Sequence, residues 1–358
     1  MKLVYDNIIF GIQRFGGISV VWQELLERMP KMMQDIAYVD IKAEQLGNNY
    51  SRGKLIIPAN SIVQTIQCPK LLRYLPVQLY SKEPFLFHSS YYRYCTHPKA
   101  INITTVHDFT YELFVKGFKQ KLHTWQKFSA IRHSAAIVCI SEQTKKDLLR
   151  LMPDIDETKV NVIYNGVSDK FHVLNEKLEV QLPFTIQSYV IFIGRRDFYK
   201  NFDIVVKSVS ATYLNLLIIG SPLNEIEKSY INKFLSPHRY KCMSQITDTQ
   251  LNELYNYAAG LVYPSSYEGF GLPILEAQRA GCPVIALNVS SIPEVIGKTP
   301  LIMNKLSEEE LIVKLRLLAN WELMRQVRQD GFSNSRCFSW SKMVEGYALL
   351  YQRLAQTI

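Results

Sequence analysis

YPSSYEGFGLPILEAQRAGCPVIA, residues 263–286, reads as strand, loop, helix and strand. A strand ends at Tyr263. A loop of serine and glycine follows, and Pro273 stands where a helix begins, a place where its missing N–H costs nothing. Gly269 and Gly271 let the backbone pass close to a ligand. The free N–H groups of the helix start, with the helix dipole, suit a diphosphate. Glu268 precedes the helix and Glu276 lies one turn inside it, so the two carboxylates can grip different parts of one ligand. Carboxylates accept well from vicinal hydroxyls, and both a ribose and a hexose offer them.

Just upstream, residues 190–203, VIFIGRRDFYKNFD, repeat the strand–loop–helix pattern with Arg195, Arg196 and Lys200 in the loop. Cations there would stabilise a departing nucleoside diphosphate. A basic loop is often only solvated surface, but this one follows directly on a buried strand. Further out, strands alternate with amphipathic helices along the whole chain, the pattern of parallel sheets covered on both faces. Strands are expected at 2–5, 36–41, 85–88, 101–106, 136–140 and 160–163, then at 189–193, 215–219, 260–263 and 283–286. At 358 residues and 47% apolar composition, the chain suits two α/β domains of roughly 150–180 residues each. The linker falls at Gly166-Val167-Ser168-Asp169 and the polar stretch up to Pro183. Residues 339–357 read as a helix around Trp340, Val344, Tyr347 and Tyr351.

Several function classes are excluded or weakened by composition. No apolar run approaches the ~20 residues of a membrane span. The segment Met1-Lys2-Leu3-Val4-Tyr5-Asp6 reads as a first strand, and no signal peptide is expected. The six cysteines have no C-x-x-C pair, which points to reduced thiols in a cytosol rather than a disulfide framework or zinc site. Asp154-Ile155-Asp156 imitates a D-x-D metal motif but lies in a loop after Pro153, where a solvated turn is the expectation. Gly11 with Gly16-Gly17 does not have the dinucleotide-binding spacing. No nucleic-acid module stands out. The net charge of +9 is uneven: residues 1–170 carry 22 Lys and Arg against 15 Asp and Glu, and residues 171–358 carry 19 against 17. A basic first half fits an anionic lipid surface or a phosphorylated acceptor, and equally a soluble basic surface.

Together the two glycine-bearing loops resemble the nucleotide-sugar glycosyltransferases of family 4, which have the fold called GT-B. The family's E-x(7)-E motif corresponds to Glu268 and Glu276, and its basic loop to Gly194 through Asn201. The resemblance runs in order through GGIS (16–19), VHDFTY (106–111), ISEQTKKDL (140–148), VIYNGV (162–167), TDTQLNELYNYAAGLVYPSS (247–266) and SSIPEV (290–295). The opening residues look most like members that build O-antigen or capsular polysaccharide, several of which use GDP-mannose. Val20 stands where some close relatives carry arginine, and Lys298 replaces an acidic residue after PEV-x-G.

The resemblance implies two facing Rossmann-like domains, 1–168 on the acceptor side and 169–339 on the nucleotide-sugar side, with 340–358 crossing back to the first. It places Glu276 on the donor ribose and Glu268 beside the donor hexose. Gly269, Phe270, Gly271 and Leu272 would bring backbone amides to the sugar hydroxyls and phosphates. Arg195 and Lys200 would neutralise the diphosphate. Gly16 and Gly17 would face the phosphates from the first domain. His107 would approach the hexose near its 6-position, though a satisfied structural histidine is the alternative. Direct acid–base pairing of His107 with Asp108 is not expected, because neighbours on a strand end point apart. His88 is a weaker candidate for the acceptor side, and Tyr91, Tyr92 and Tyr94 could stack on sugars or simply pack.

The implied activity is retaining, metal-independent hexosyl transfer, with mannose the leading sugar, from a GDP- or UDP-linked donor to a glycan or polyprenyl-diphosphate-linked acceptor. No cofactor is expected beyond that substrate, and no nucleic acid. The implied location is cytoplasmic, peripheral on the inner face of the plasma membrane. The competing reading is a catalytically inactive GT-B protein that binds a sugar nucleotide or regulates.

Overall fold

The computed structural model describes residues 1–358 except Phe15, 43–48, 176–181 and 357–358. It divides into two compact units: Met1–Gly166 with Trp340–Ile358, and Val167–Ser339.

The first unit is built on a seven-stranded sheet of β1 (Lys2–Asp6), β2 (Ile36–Ile41), β3 (Ile62–Ile66), β4 (Phe85–Ser89), β5 (Ala100–Val106), β6 (Ala136–Cys139) and β7 (Val160–Val162). Their spatial order is β3-β2-β1-β4-β5-β6-β7, and every pairing is parallel. The second unit holds β8 (Tyr189–Ile193), β9 (Asn215–Ile219), β10 (Tyr240–Met243), β11 (Gly260–Tyr263), β12 (Val284–Leu287) and β13 (Ile302–Met303). These run β10-β9-β8-β11-β12-β13, again all parallel. The central strands are apolar on both faces because helices cover both sides; Val190, Leu216, Val262 and Ile285 share one core with Val205 and Val209 of the helix Phe202–Ser210.

In each sheet the winding reverses once, between β1 and β4 and between β8 and β11. Adjacent loops leave in opposite directions at such a point and open a crevice at the carboxyl ends of the strands. In the second unit the two loops at that crevice are those singled out from sequence, 194–201 and 264–271.

The helix Trp340–Gln356 belongs to the first unit. Tyr347 and Tyr351 carry polar tips into an apolar core, and both tips are satisfied. The Tyr351 hydroxyl lies 2.6 Å from His88 Nδ1, the Tyr347 hydroxyl 2.9 Å from Thr105 Oγ1, and His88 Nε2 2.9 Å from the same threonine. Burial lowers the His88 pKa to about 3, so the imidazole is neutral at pH 7. His88 is therefore a structural histidine, closed in by Tyr5, Trp22, Tyr347 and Tyr351, and does not line an acceptor surface.

Candidate active site

In the second unit, β8 runs into Gly194, whose φ of +118° is one that L side chains rarely adopt. A Cβ on the neighbouring Gly220 would stand 2.5 Å from the Gly194 carbonyl oxygen, so the ends of β8 and β9 touch backbone to backbone there. The two arginines that follow part company. Arg196 turns inward: its guanidinium pairs with Glu227 at 2.6 and 3.1 Å and donates to the carbonyls of Ser221 and Pro222. It fastens the loop to the segment after β9. Arg195 points outward, 81% exposed, and pairs with Asp197 at 3.1 Å.

The loop then makes one tight turn, Phe198–Lys200, and reaches Asn201 with φ +54°. Asparagine tolerates that left-handed conformation better than most residues. Its side-chain amide donates to the Pro264 carbonyl at 2.7 Å and the Ser266 hydroxyl at 2.8 Å, while the Ser266 N–H donates to the Tyr199 carbonyl at 2.8 Å. The basic loop is thus stitched to the glycine loop after β11.

A second set of bonds holds the glycine loop from the other side. Ser290, itself at φ +56°, donates through its hydroxyl to the Glu268 carbonyl at 2.7 Å and accepts from the Glu268 N–H at 3.2 Å. The Ser291 hydroxyl lies 2.9 Å from the Glu268 carbonyl oxygen and 3.0 Å from that of Phe270. Gly271, at φ +107°, swings the chain into the helix Leu272–Arg279, with Pro273 in its first turn. In that first turn Pro273 has no N–H and the Ile274 N–H donates to the Gly271 carbonyl at 3.0 Å, which leaves the Leu272 N–H as the amide at the helix start.

Lys200 and Glu268 form an ion pair, each side chain 13% exposed. The ammonium also sits 5.3 Å from the Tyr199 ring centre and 5.4 Å from that of Tyr263, within reach of the negative ring faces. Glu276 is different. It is half-buried on the helix Leu272–Arg279, and no hydrogen bond or ion pair to it is found among the described residues. Burial, and then the charge of Asp248, push its carboxyl up to about 8. A carboxyl that is costly to ionise and lacks a partner is what a site presents when its hydrogen-bonding partner is a ligand.

The structure therefore joins Lys200, Glu268, Gly269, Phe270, Gly271, Leu272 and Glu276 around one crevice and leaves Arg195 at its exposed margin. Sequence reading missed Asn201, Ser290, Ser291 and Tyr263. The two serines could have been found from SSIPEV, where adjacent hydroxyls precede a helix start.

In the first unit, Gly16 and Gly17 open the helix Gly17–Arg28. A Cβ at Gly16 would stand 2.5 Å from the Gln13 side-chain oxygen, so the neighbour that needs the glycine is the chain's own. Near the carboxyl ends of β1 and β2 the protein pairs its own buried charges: Asp6 with Arg93 at 3.1 Å and Asp40 with Arg52 at 2.6 Å. His107 follows β5, is 7% exposed, and has its pKa lowered to about 4 by burial. It is neutral at pH 7. Asp108 turns away from it to accept from the Thr110 N–H at 2.9 Å. Lys127, fully buried, donates to the Asp108 carbonyl and to Glu112 and locks this loop to the helix Phe118–Arg132. Asp154 pairs with Arg132, and Asp156 caps the turn Glu157–Lys159.

Two Rossmann-like units, with basic and glycine-rich loops meeting at the winding reversal of the second, make up the GT-B class of glycosyltransferase folds. Solved structures share this fold: sucrose-phosphate synthase from Thermosynechococcus elongatus superposes with a TM-score of 0.74 over 100% of both chains at 16% identity. Residues 15–171 match the model "Glycosyltransferase Family 4" and residues 175–332 the model "Glycosyl transferases group 1". The first unit thus carries a glycosyltransferase family 4 domain and the second a glycosyltransferase group 1 domain. It is 28% identical to an uncharacterized glycosyltransferase of Methanocaldococcus jannaschii over 234 residues, 63% of this chain and 62% of that one. It is 24% identical to the serotype-specific mannosyltransferase WbdA of Escherichia coli over 254 residues, 64% of this chain and 31% of that one. The match thus spans less than two thirds of either relative.

Proposed function

We propose that this chain transfers a hexose, mannose first among the candidates, from a GDP- or UDP-linked donor to a glycan or polyprenyl-diphosphate-linked acceptor, as in O-antigen or capsule synthesis. The observation that carries this reading is the Glu276 carboxyl, without a side-chain partner among the described residues, on the helix that follows the loop of the Lys200–Glu268 pair at the carboxyl end of one parallel sheet. Glu276 accepts from the ribose hydroxyls. The Leu272 N–H at the start of the helix Leu272–Arg279 and the Lys200 ammonium meet the diphosphate, with Arg195 adding a mobile cation from the margin. Glu268 accepts from the hexose hydroxyls.

The reaction retains anomeric configuration. The glycosidic C–O bond to phosphate breaks ahead of acceptor attack on the same face, and the departing phosphate oxygen takes the acceptor proton. The protein contributes position and charge stabilisation. Lys200 supplies the positive charge at the leaving group, so no divalent metal is required. A panel of nucleotide sugars, read by donor hydrolysis and thermal shift, tests the donor: GDP-mannose is expected to raise Tm and to be hydrolysed slowly. Hydrolysis is expected to persist in chelator. Complete loss in chelator with recovery in magnesium or manganese would overturn the metal-independent account, and a panel without a binder would overturn the donor site.

The same reading places the protein at the cytoplasmic face of the membrane. Leu71, Phe118 and Trp125 are 72%, 78% and 59% exposed, and exposed Lys70, Lys116, Lys119, Lys121 and Arg132 lie in the same two segments. Each such cation gains ~1 kcal/mol near an anionic leaflet. Co-sedimentation at low salt is expected with phosphatidylglycerol-containing vesicles and not with neutral ones. Equal, negligible binding to both refutes the membrane placement.

A further inference from the structure

We propose that Asn201 is a positioning residue of the donor site: its side-chain amide clamps the basic loop to the glycine loop and so fixes where the Lys200 ammonium stands. This rests on the reading that the crevice takes a nucleotide sugar.

Asn201 stands at the head of the helix Phe202–Ser210, a place where an asparagine ordinarily caps its own helix. Here the side chain makes no capping bond. It reaches across to the other loop instead. The amide nitrogen lies 2.7 Å from the Pro264 carbonyl oxygen, 2.8 Å from the Ser266 hydroxyl and 3.3 Å from the Tyr199 carbonyl oxygen. Carbonyl oxygens only accept, so the group that faces them is the NH2. The residue is buried and held at a φ of +54°, a conformation that costs an L residue energy and persists only where its surroundings fix it.

The clamp is needed because the sheet stops short of the site. The ladder between β8 and β11 pairs Gly260 with Val190 and Leu261 with Ile191 and ends there. Beyond it the two loops leave in opposite directions. Lys200 rides on one loop and Glu268 on the other, and in the empty site their ion pair helps to join the two. A diphosphate that draws the ammonium to itself weakens that tie. The Asn201 amide bonds, and the Ser266 N–H bond to the Tyr199 carbonyl, involve neither charged group and so persist in the loaded site. They hold the residues on both sides of Lys200 against the loop that carries Glu268. The cation then meets the leaving phosphate already in place.

Asn256 provides the control. It lies in the same unit near the end of the helix Asp248–Tyr257, at the amino end of β11 and so away from the crevice. Its amide nitrogen likewise donates to two carbonyls, those of His172 at 3.0 Å and Asn252 at 2.8 Å, and its oxygen accepts from the Leu174 N–H at 2.9 Å. Asn201→Gly removes the clamp and keeps the left-handed backbone, which glycine adopts freely. With the donor selected by the panel, it is expected to lower kcat about ten- to a hundred-fold, up to the loss that a misplacement of about 1 Å brings. Asn256→Ala should lower Tm and leave kcat unchanged. In a Lys200→Ala background, Asn201→Gly should cost kcat almost nothing further, because the group it positions is gone. Ser266→Ala reaches the clamp from the other loop without touching the Asn201 backbone. It should lower kcat about three-fold, the range of one neutral hydrogen bond, and should also add nothing to Lys200→Ala. Wild-type kcat in both Asn201→Gly and Ser266→Ala, or losses that recur in full in the Lys200→Ala background, overturns this proposal alone. A wild-type chain that turns over no nucleotide sugar overturns the glycosyltransferase reading together with it.

Discussion

Lys200→Ala is expected to cut turnover of the nucleotide sugar by about a hundred- to a thousand-fold, the range found when one preorganised electrostatic donor is removed. Among the described residues the ammonium is the cation the fold fixes beside Glu268, with two aromatic rings limiting its swing. As the sugar–phosphate bond breaks, negative charge accumulates on the leaving phosphate, and a nearby fixed cation needs no reorganisation to meet it. The alanine variant loses that charge and leaves the Glu268 carboxylate facing the phosphate unneutralised, so two penalties fall on the same step. Arg195→Ala should cost far less, because that side chain is 81% exposed and shared with Asp197. Single-turnover kinetics separate chemistry from release. A Lys200→Ala enzyme within a few-fold of wild type would show that the leaving group is stabilised elsewhere.

Glu276→Ala is expected to weaken nucleoside diphosphate binding by about 10- to 150-fold, the equivalent of roughly 1.5–3 kcal/mol for hydrogen bonds to a charged group. Glu268→Ala should not weaken that binding, yet should cut turnover of the intact donor, because its contacts are with the sugar. The pH dependence is specific. The empty Glu276 carboxyl titrates at about 8, and the ionised form is the one that accepts two ribose hydroxyls. Binding at pH 7 therefore releases a proton. Affinity should rise with pH through 6 and 7 and level off above about 8, after correction for phosphate ionisation by comparison with Glu276→Gln, which lacks the slope. Calorimetry in buffers of different ionisation enthalpy measures the released proton directly. Reversed effects of the two alanine variants would exchange the roles of the glutamates. No effect of either would remove the donor site from this crevice.

The central strands were legible because parallel strands buried on both faces leave long apolar runs such as Tyr189–Ile193. The strands that went unread, Ile62–Ile66, Tyr240–Met243 and Ile302–Met303, are the edges of the sheets with the exception of β7. Edge strands are short and half exposed, and Ile62–Ile66 buries only its last residue fully. Glycine, proline and charge at fixed offsets singled out the glutamates and Lys200 in the sequence, and the structure pairs Lys200 with Glu268. What sequence could not tell was which arginine is spare. Arg195 and Arg196 are neighbours of identical chemistry, and only the position of Glu227, 31 residues later than Arg196, decides that Arg196 is structural. Nor could sequence foresee that Asp6 pairs with Arg93 and Asp40 with Arg52, since ion pairs between distant residues leave no local pattern.

The return of the helix Trp340–Gln356 to the first unit has a consequence for biogenesis. The chain leaves that unit at Gly166 and rejoins it only after 173 residues of the other have been made. During translation Val167–Ser339 has its full sequence available first. The first unit waits with Tyr5, His88 and Thr105 lacking Tyr347 and Tyr351, their partners from the last helix. The half of the molecule synthesised earliest is thus the last able to close its core. A ribosome that stalls within the final helix releases a chain whose second unit can be complete while its first stays open.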